Sequence, residues 1–332
     1  MKSFKAGERR RQMSLMSSSD LFDGDKGYGR FGHGNWPFVL ERGAKNIYAP
    51  VRDAVMEYFR ANGIAWWKGT EPSGHILSSQ IACLNHLFAV RNDRKAVLDI
   101  LNGIRDEFVD VEQIPCDVAP QGYISFEVVS KFDNLNENQN SRGSNCTSVD
   151  AVIYAKHRGG SRWIIPIEWK YTESYPDVDK SKEGVSRSEE GALADNGVCK
   201  GVVRMNRYNK LITESEQLRT LDDYGGSIYY QEPFYQLMRQ TLWAEQIILH
   251  NDREQFDANE FMHVHVIPSR NHNLLHRTYK VSGRNMEDSW RAMLSDQSRY
   301  VIVDPEVLMT PVKDKYPHLW AYLKLRYWPD KL

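Results

Sequence analysis

Three ionisable residues interrupt the most apolar stretches of this chain. In the run IIPIEWK, Glu168 and Lys170 sit among isoleucines and a tryptophan, and in TSVDAVIYA a single acid, Asp150, interrupts another apolar run. Both runs are rich in β-branched and aromatic residues and read as strands. A strand sends alternate side chains to opposite faces, so Ile165, Ile167 and Trp169 share one face while Glu168 and Lys170 share the other. Charges on a largely buried strand are expensive unless they are paired, bind a metal or open onto a cleft. The connection KHRGGS suits a short hairpin, and a hairpin brings Asp150 and Glu168 to the same end.

Two carboxylates and an ammonium converging on one point have a definite chemical use. Carboxylate oxygens suit a hard cation such as Mg²⁺, which can polarise a phosphoryl oxygen and lower the pKa of bound water. Lys170 would orient or help deprotonate the attacking water, or stabilise charge building on the phosphate. These are the requirements of phosphodiester hydrolysis. A Glu-x-Lys triplet is a weak signal, since about one is expected by chance in such a chain. The alternative is a solvated surface pair, or a buried pair that merely holds the sheet. The Asp150 strand tips the reading towards a site.

The elements that must position these groups can be read around them. A helix is expected from near Pro50, with Val51, Val55 and Phe59 along it, until Asn62-Gly63 stops it. A second follows over SSQIACLNHLFAV. Strands are expected over 123–129, 147–155 and 162–171, then an insertion over about 172–226, too long for a plain connector. A helix over PFYQLMRQTLWAEQIIL and a strand over FMHVHVIP come next. The first forty-odd residues read as a loop-rich arm, and 289–328 as helical pieces. The fold class is therefore α/β, a central mixed sheet flanked by helices in the order α-β-β-β-α-β, with helical additions at both ends. The division expected is 1–70 for the arm and first helix, 71–280 for the core and 281–332 for a C-terminal helical segment, together one compact domain.

The order Asp150 … Glu168-Trp169-Lys170 on successive strands resembles the PD-(D/E)XK nuclease superfamily. The flanking text, SSQIACLNHLF before and IEWKYTE after, is similar to a group of restriction endonucleases within it, over roughly residues 45–280. The residue before Asp150 is Val149 where the superfamily label has proline, a variation that leaves the ligand in place. The resemblance implies a restriction-endonuclease-like core, Mg²⁺ dependence with Mn²⁺ able to replace it, DNA as substrate and cleavage that leaves 5′-phosphate ends. It also implies supporting residues. Glu127 would be a further acidic metal ligand or would position the metal's water, Gln80 a contact to DNA or to a ligand carboxylate, and Gln236 and Arg239 polar groups offered to a phosphate. Each has a plainer reading: a solvent-facing carboxylate, a helix cap and a solvated helix face. Asn85 is read as a packing hydrogen bond.

Basic residues near a cleavage site would hold the DNA backbone. Lys156, His157, Arg158 and Arg162 bracket the hairpin, and Arg204, Arg207 and Lys210 lie in the insertion, although each singly reads as a surface charge. His263, His265, His272 and His276 match no familiar zinc spacing and read as structural. The tyrosines 208, 224, 229 and 230 read as core.

Composition sets the outer limits. The 332 residues carry 43 basic and 44 acidic side chains, so no general nucleic-acid coat is indicated. Four scattered cysteines argue against a cysteine zinc site. A charged opening and the lack of any long apolar run lead us to expect a cytoplasmic protein with no membrane partner. No GxxxxGK[ST] loop is present, which argues against an ATPase. Cutting both strands of DNA would favour a homodimer. The competing readings are a catalytically silent DNA-binding or scaffold protein, a repair-type exonuclease, and a hydrolase of another phosphodiester.

Overall fold

Alternation of apolar side chains along two central strands builds this molecule outward in both directions. The computed structural model describes residues 3–67, 69–138, 141–143, 146–184 and 198–329. In chain order these form α1 (Phe4–Ser18), the hairpin β1 (Gly29–Phe31) and β2 (Gly34–Trp36), α2 (Arg52–Ala61), α3 (Ser79–Leu87), α4 (Arg94–Ile104), β3 (Phe108–Glu112), β4 (Ile124–Val128), β5 (Val149–His157) and β6 (Arg162–Trp169). Then come α5 (Lys200–Glu214), α6 (Phe234–Leu249), β7 (Glu260–Phe261), β8 (His263–Val266), α7 (His272–Leu275), α8 (Met286–Arg291), β9 (Tyr300–Val303), α9 (Pro305–Met309) and α10 (Pro317–Arg326). No described helix is long and apolar enough to cross a membrane.

The large sheet is mixed. β5 and β6 form the expected antiparallel hairpin, closed by Gly160 at φ +91°, a conformation open mainly to glycine. β3 and β4 share the outer edge of β5, β3 beside residues 154–157 and β4 beside residues 149–153. On the other side β7 and β8 run parallel to β6, and β9 runs parallel to β8. Each face carries its own core. Ala151, Ile153, Ile165, Ile167 and Trp169 pack with side chains of α2, α3, α4 and α10, whereas Val152, Tyr154 and Ile164 pack with α5, α6 and α8. Burial on both faces explains the near-continuous apolar runs of β5 and β6.

The α/β class, the mixed sheet and the flanking helices agree with the sequence reading. The helices starting near Pro50 and at Ser79 appear where expected, and Ser78 caps α3 by accepting from the Ile81 N–H at 3.4 Å. Three features correct it. The N-terminal arm contains a four-turn helix, α1, whose buried stripe is Glu8, Gln12 and Met16. Two of those three are polar, so no hydrophobic period announced the helix. They are satisfied internally: Glu8 accepts from the Tyr171 hydroxyl at 2.8 Å, and Gln12 donates to the Arg326 carbonyl at 2.6 Å. Second, α4 and β3 fill the stretch between α3 and β4. Third, β9 is a strand inside the region read as helical pieces. The described part of the 172–226 insertion contains α5, and residues 185–197 lie outside the described residues.

Candidate active site

Strand register lines up three carboxylates across the sheet. Phe126 pairs with Ala151 and Val128 with Val149, so Glu127 on β4 stands opposite Asp150 on β5. Ala151 pairs with Ile167, so Asp150 stands opposite Glu168 on β6. Glu168 pairs with His265 on β8. Glu168 and Lys170 meet α6 through Gln240 and Gln236, whereas Glu127 meets α3 through Gln80. Glu127 adopts φ +51°, a left-handed backbone that a non-glycine residue pays about 1–3 kcal/mol to hold. The residue is fixed there by its side chain. Its carboxylate accepts from Gln80 Nε2 at 2.7 Å and from the Ser148 hydroxyl at 2.8 Å, while Arg142 donates to its carbonyl at 3.2 Å.

The neighbouring groups are held as firmly. Asp150 accepts from the Trp169 N–H at 2.7 Å. Glu168 accepts from Lys170 on one oxygen and from Gln240 on the other. Lys170 Nζ also donates to Gln236 Oε1 at 2.6 Å. Gln236 and Gln240, one turn apart on α6, thus reach down to the ammonium and its partner carboxylate. The floor of a cavity of about 610 Å³ is made by Glu127, Asp150, Glu168 and Lys170, with Arg239 and Gln236 on one wall.

Burial and crowding set the protonation states. Asp150 is pushed well above the ordinary carboxylate range, first by burial and then by the negative charges of Glu168 and Glu127, with Lys170 and the Trp169 N–H pulling the other way. Glu127 is raised by burial, against the hydrogen bonds from Gln80 and Ser148. Burial disfavours the Lys170 ammonium, but Glu168, Tyr175, Glu173 and Asp150 outweigh it and hold the proton on. A site that repels its own charge in this way gains from a cation. Among the described residues no three His, Cys, Asp or Glu side chains are gathered as a metal cage. The donor set nevertheless suits Mg²⁺, which takes one or two carboxylates and completes its shell with water and phosphate oxygens. Asp150 and Glu168, which face each other across β5 and β6, could supply such carboxylates, with Glu127 beside them.

The structure brings Asp150, Glu168, Lys170, Glu127, Gln80, Gln236 and Arg239 to one cavity. Gln80 is more than a cap, since it also accepts from the Trp67 N–H at 3.4 Å. Asn85 is fully buried and bonded to the Tyr48 N–H, the Asn46 carbonyl and the Tyr327 hydroxyl, a packing role as expected. The hairpin cations sit at the surface, as their plainer reading had it. Lys156 pairs with Arg162 at the turn, six residues along β5 from Asp150, or about 20 Å. They are remote from the carboxylates. Arg162 meets Glu112 and Asp257, and Arg158 meets Asp106. In the insertion, Arg204 pairs with Glu183 and Lys210 with Glu214. Tyr208, Tyr229 and Tyr230 are core. His263 and His265 are buried, and burial with the nearby Lys170 charge keeps both neutral. Gln240 shares the helix face of Gln236 and Arg239 by its i+4 spacing, as the sequence reading had it, and the structure adds its bond to Glu168. Ser148 was passed over, having only its place two residues before Asp150 as a signal.

A family model described as "Restriction Endonuclease associating with ARP" matches residues 10–328 of the chain. No curated protein and no solved structure matches.

Proposed function

The chain belongs to the family of restriction endonucleases associating with ARP, and from that premise we propose that it hydrolyses DNA phosphodiester bonds with Mg²⁺ bound by Asp150 and Glu168. The observation that carries the reading is the carboxylate row of Glu127, Asp150 and Glu168 with an ammonium beside it, open to a cavity. Bound Mg²⁺ would supply Lewis acidity and a water of lowered pKa. Everything else falls to the chain's own residues.

Lys170 is held protonated by its acidic neighbours, which favours charge stabilisation over proton abstraction. Its ammonium would meet a non-bridging phosphate oxygen, where negative charge grows in the transition state. Gln236 and Glu168 aim it. Glu127, raised by burial and facing Asp150, would position the attacking water and take up its proton. Arg239 lines the same cavity and would hold a flanking phosphate through its forked donors. Gln240 steadies Glu168. The family description also names ARP, and we extend that association to this chain.

Supercoiled plasmid is the test. With Mg²⁺ or Mn²⁺ the wild-type chain should nick and linearise it, and EDTA should stop the reaction. Lys170→Ala should slow cleavage about 10²–10³-fold, the usual cost of one preorganised charge-stabilising donor. Metal-independent binding with no cleavage, unchanged by Lys170→Ala, would mean a silent binding protein instead.

A further inference from the structure

One wall of the catalytic cavity is aromatic, and hydrolysis of a phosphodiester does not need it. Phe31 from the β1–β2 hairpin, Trp67 from the segment before α3 and His75 all line the cavity whose floor is the carboxylate row. Phe31 lies between the other two, its ring centroid 6.0 Å from Trp67 and 5.0 Å from His75. Trp67 is 48 % exposed. Burial and the charges of Lys5 and Arg9 push His75 down to about 4, so its ring is a neutral face at pH 7. Its Nδ1 accepts from the Leu77 N–H at 3.2 Å, which fixes the ring.

The wall is rigidly mounted. The Gly29 N–H donates to the Val39 carbonyl at 2.8 Å, and a Cβ on Gly29 would lie 2.0 Å from the Leu40 carbonyl oxygen, so the hairpin is clamped onto the chain behind it. Val39 in turn bridges to His75. Gln80 ties the wall to the chemistry, for it donates to Glu127 and accepts from the Trp67 N–H. Lys5, Lys170 and Arg239 line the same space, beside the carboxylates of Glu127, Asp150, Glu168 and Glu173. Aromatic faces with cations nearby offer a nucleotide a π-surface for the base and charge for the backbone. The cavity volume of about 610 Å³ falls in the range of roughly 300–1,000 Å³ that encloses a small molecule.

We propose that the wall of Phe31, Trp67 and His75 stacks one unpaired base, so that the substrate class is DNA carrying an extruded or unpaired nucleotide beside the scissile phosphate. A fully paired duplex keeps its base faces covered and offers nothing to such a wall. This inference rests on the nuclease reading for its choice of ligand.

The test is a titration in EDTA of a DNA duplex carrying one unpaired 2-aminopurine, with the fully paired duplex of the same sequence as control. The wild-type chain should quench the probe and bind the unpaired form tighter by about tenfold or more, with Trp67→Ala and Phe31→Ala each reducing that preference about 5–100-fold, the usual worth of one stacked base. Trp67→Phe should restore most of it, which separates stacking from misfolding. Equal affinity for the two duplexes, or a preference that survives both alanine substitutions, overturns the proposal. The nuclease reading is scored separately, by Mg²⁺-dependent plasmid cleavage. A chain that cuts without the preference loses only the base pocket; one that has the preference and never cuts keeps the pocket and loses the nuclease.

Discussion

The two ends of the β5–β6 hairpin are both heavily charged, yet they are built on opposite principles. At the turn, Arg158 pairs with Asp106 and Arg162 with Glu112 and Asp257, all at least partly in water. Nearby Asp110 is held below the ordinary carboxylate range, chiefly by its hydrogen bonds from Arg94. At the other end Glu127, Asp150 and Glu168 crowd together beside Lys170, and Asp150 is driven the opposite way. Charges that are balanced in solvent need no ligand to account for them. Charges that are crowded and buried do, and that crowding is what marks the candidate site.

The comparison breaks most visibly at Asp150. Replacing it with Asn should abolish metal-dependent cleavage, a loss on the order of a thousandfold or more, since several kcal/mol of transition-state stabilisation go with the ligand. The same variant should be more stable without metal. Because the Asp150 pKa is raised by folding, the folded state keeps a proton that the unfolded chain has released. Its contribution is therefore fully present below about pH 4 and is lost as the pH climbs through the raised folded-state value. In EDTA the melting temperature of the wild type should fall as the pH rises above about 4, and that of Asp150→Asn should fall less. Parallel curves would mean that the crowding is not felt. At the turn, Asp110 carries the opposite sign: stability from its pairing is lost only on acidification.

A smaller effect is expected one layer back. Gln240 is 1 % exposed and donates to Glu168, so Gln240→Ala leaves that carboxylate held by Lys170 alone. Residues that orient a metal ligand typically cost about 10–100-fold in metal affinity or activity. The loss should therefore appear as a weaker apparent Mg²⁺ affinity, largely recovered at high Mg²⁺. A drop in maximal rate that no metal concentration rescues would assign Gln240 a different role.

How much of this was legible in the chain depended on whether local pattern carried the information. Alternation placed Glu168 and Lys170 on one face and put Asp150 within an apolar strand, and the hairpin then fixed their meeting. The α1 helix was hidden because Glu8 and Gln12 occupy its buried stripe, and their partners Tyr171 and Arg326 lie more than 150 residues away. β9 was hidden by its brevity, four residues that gain a strand's stability only beside β8. The carboxylate row itself needed the register of β4 on β5, which the left-handed backbone of Glu127 disturbs in any simple alternation. The aromatic wall was the least legible part. Phe31, Trp67 and His75 belong to no shared period, and only tertiary folding brings their rings together.

The smallest expected effect lies at the turn, and it is the one that tests whether charge alone or crowded, buried charge defines the site. Arg158 and Asp106 are largely exposed, with side chains 62 % and 79 % accessible. An exposed pair of this kind contributes about 0–1 kcal/mol, much of it screened by salt. Arg158→Ala should therefore leave the melting temperature nearly unchanged and should alter plasmid cleavage less than about twofold, because the residue lies past the end of β5, beyond Lys156, which is itself about 20 Å from Asp150 along the strand. DNA backbone contacts respond differently: loss of one phosphate contact lowers the salt slope of binding by about one. If Arg158→Ala changes that slope, the DNA runs the whole length of the hairpin and the turn belongs to the binding surface. An unchanged slope confines the nucleic acid to the crowded end, where the carboxylates, Lys170 and the aromatic wall share one cavity.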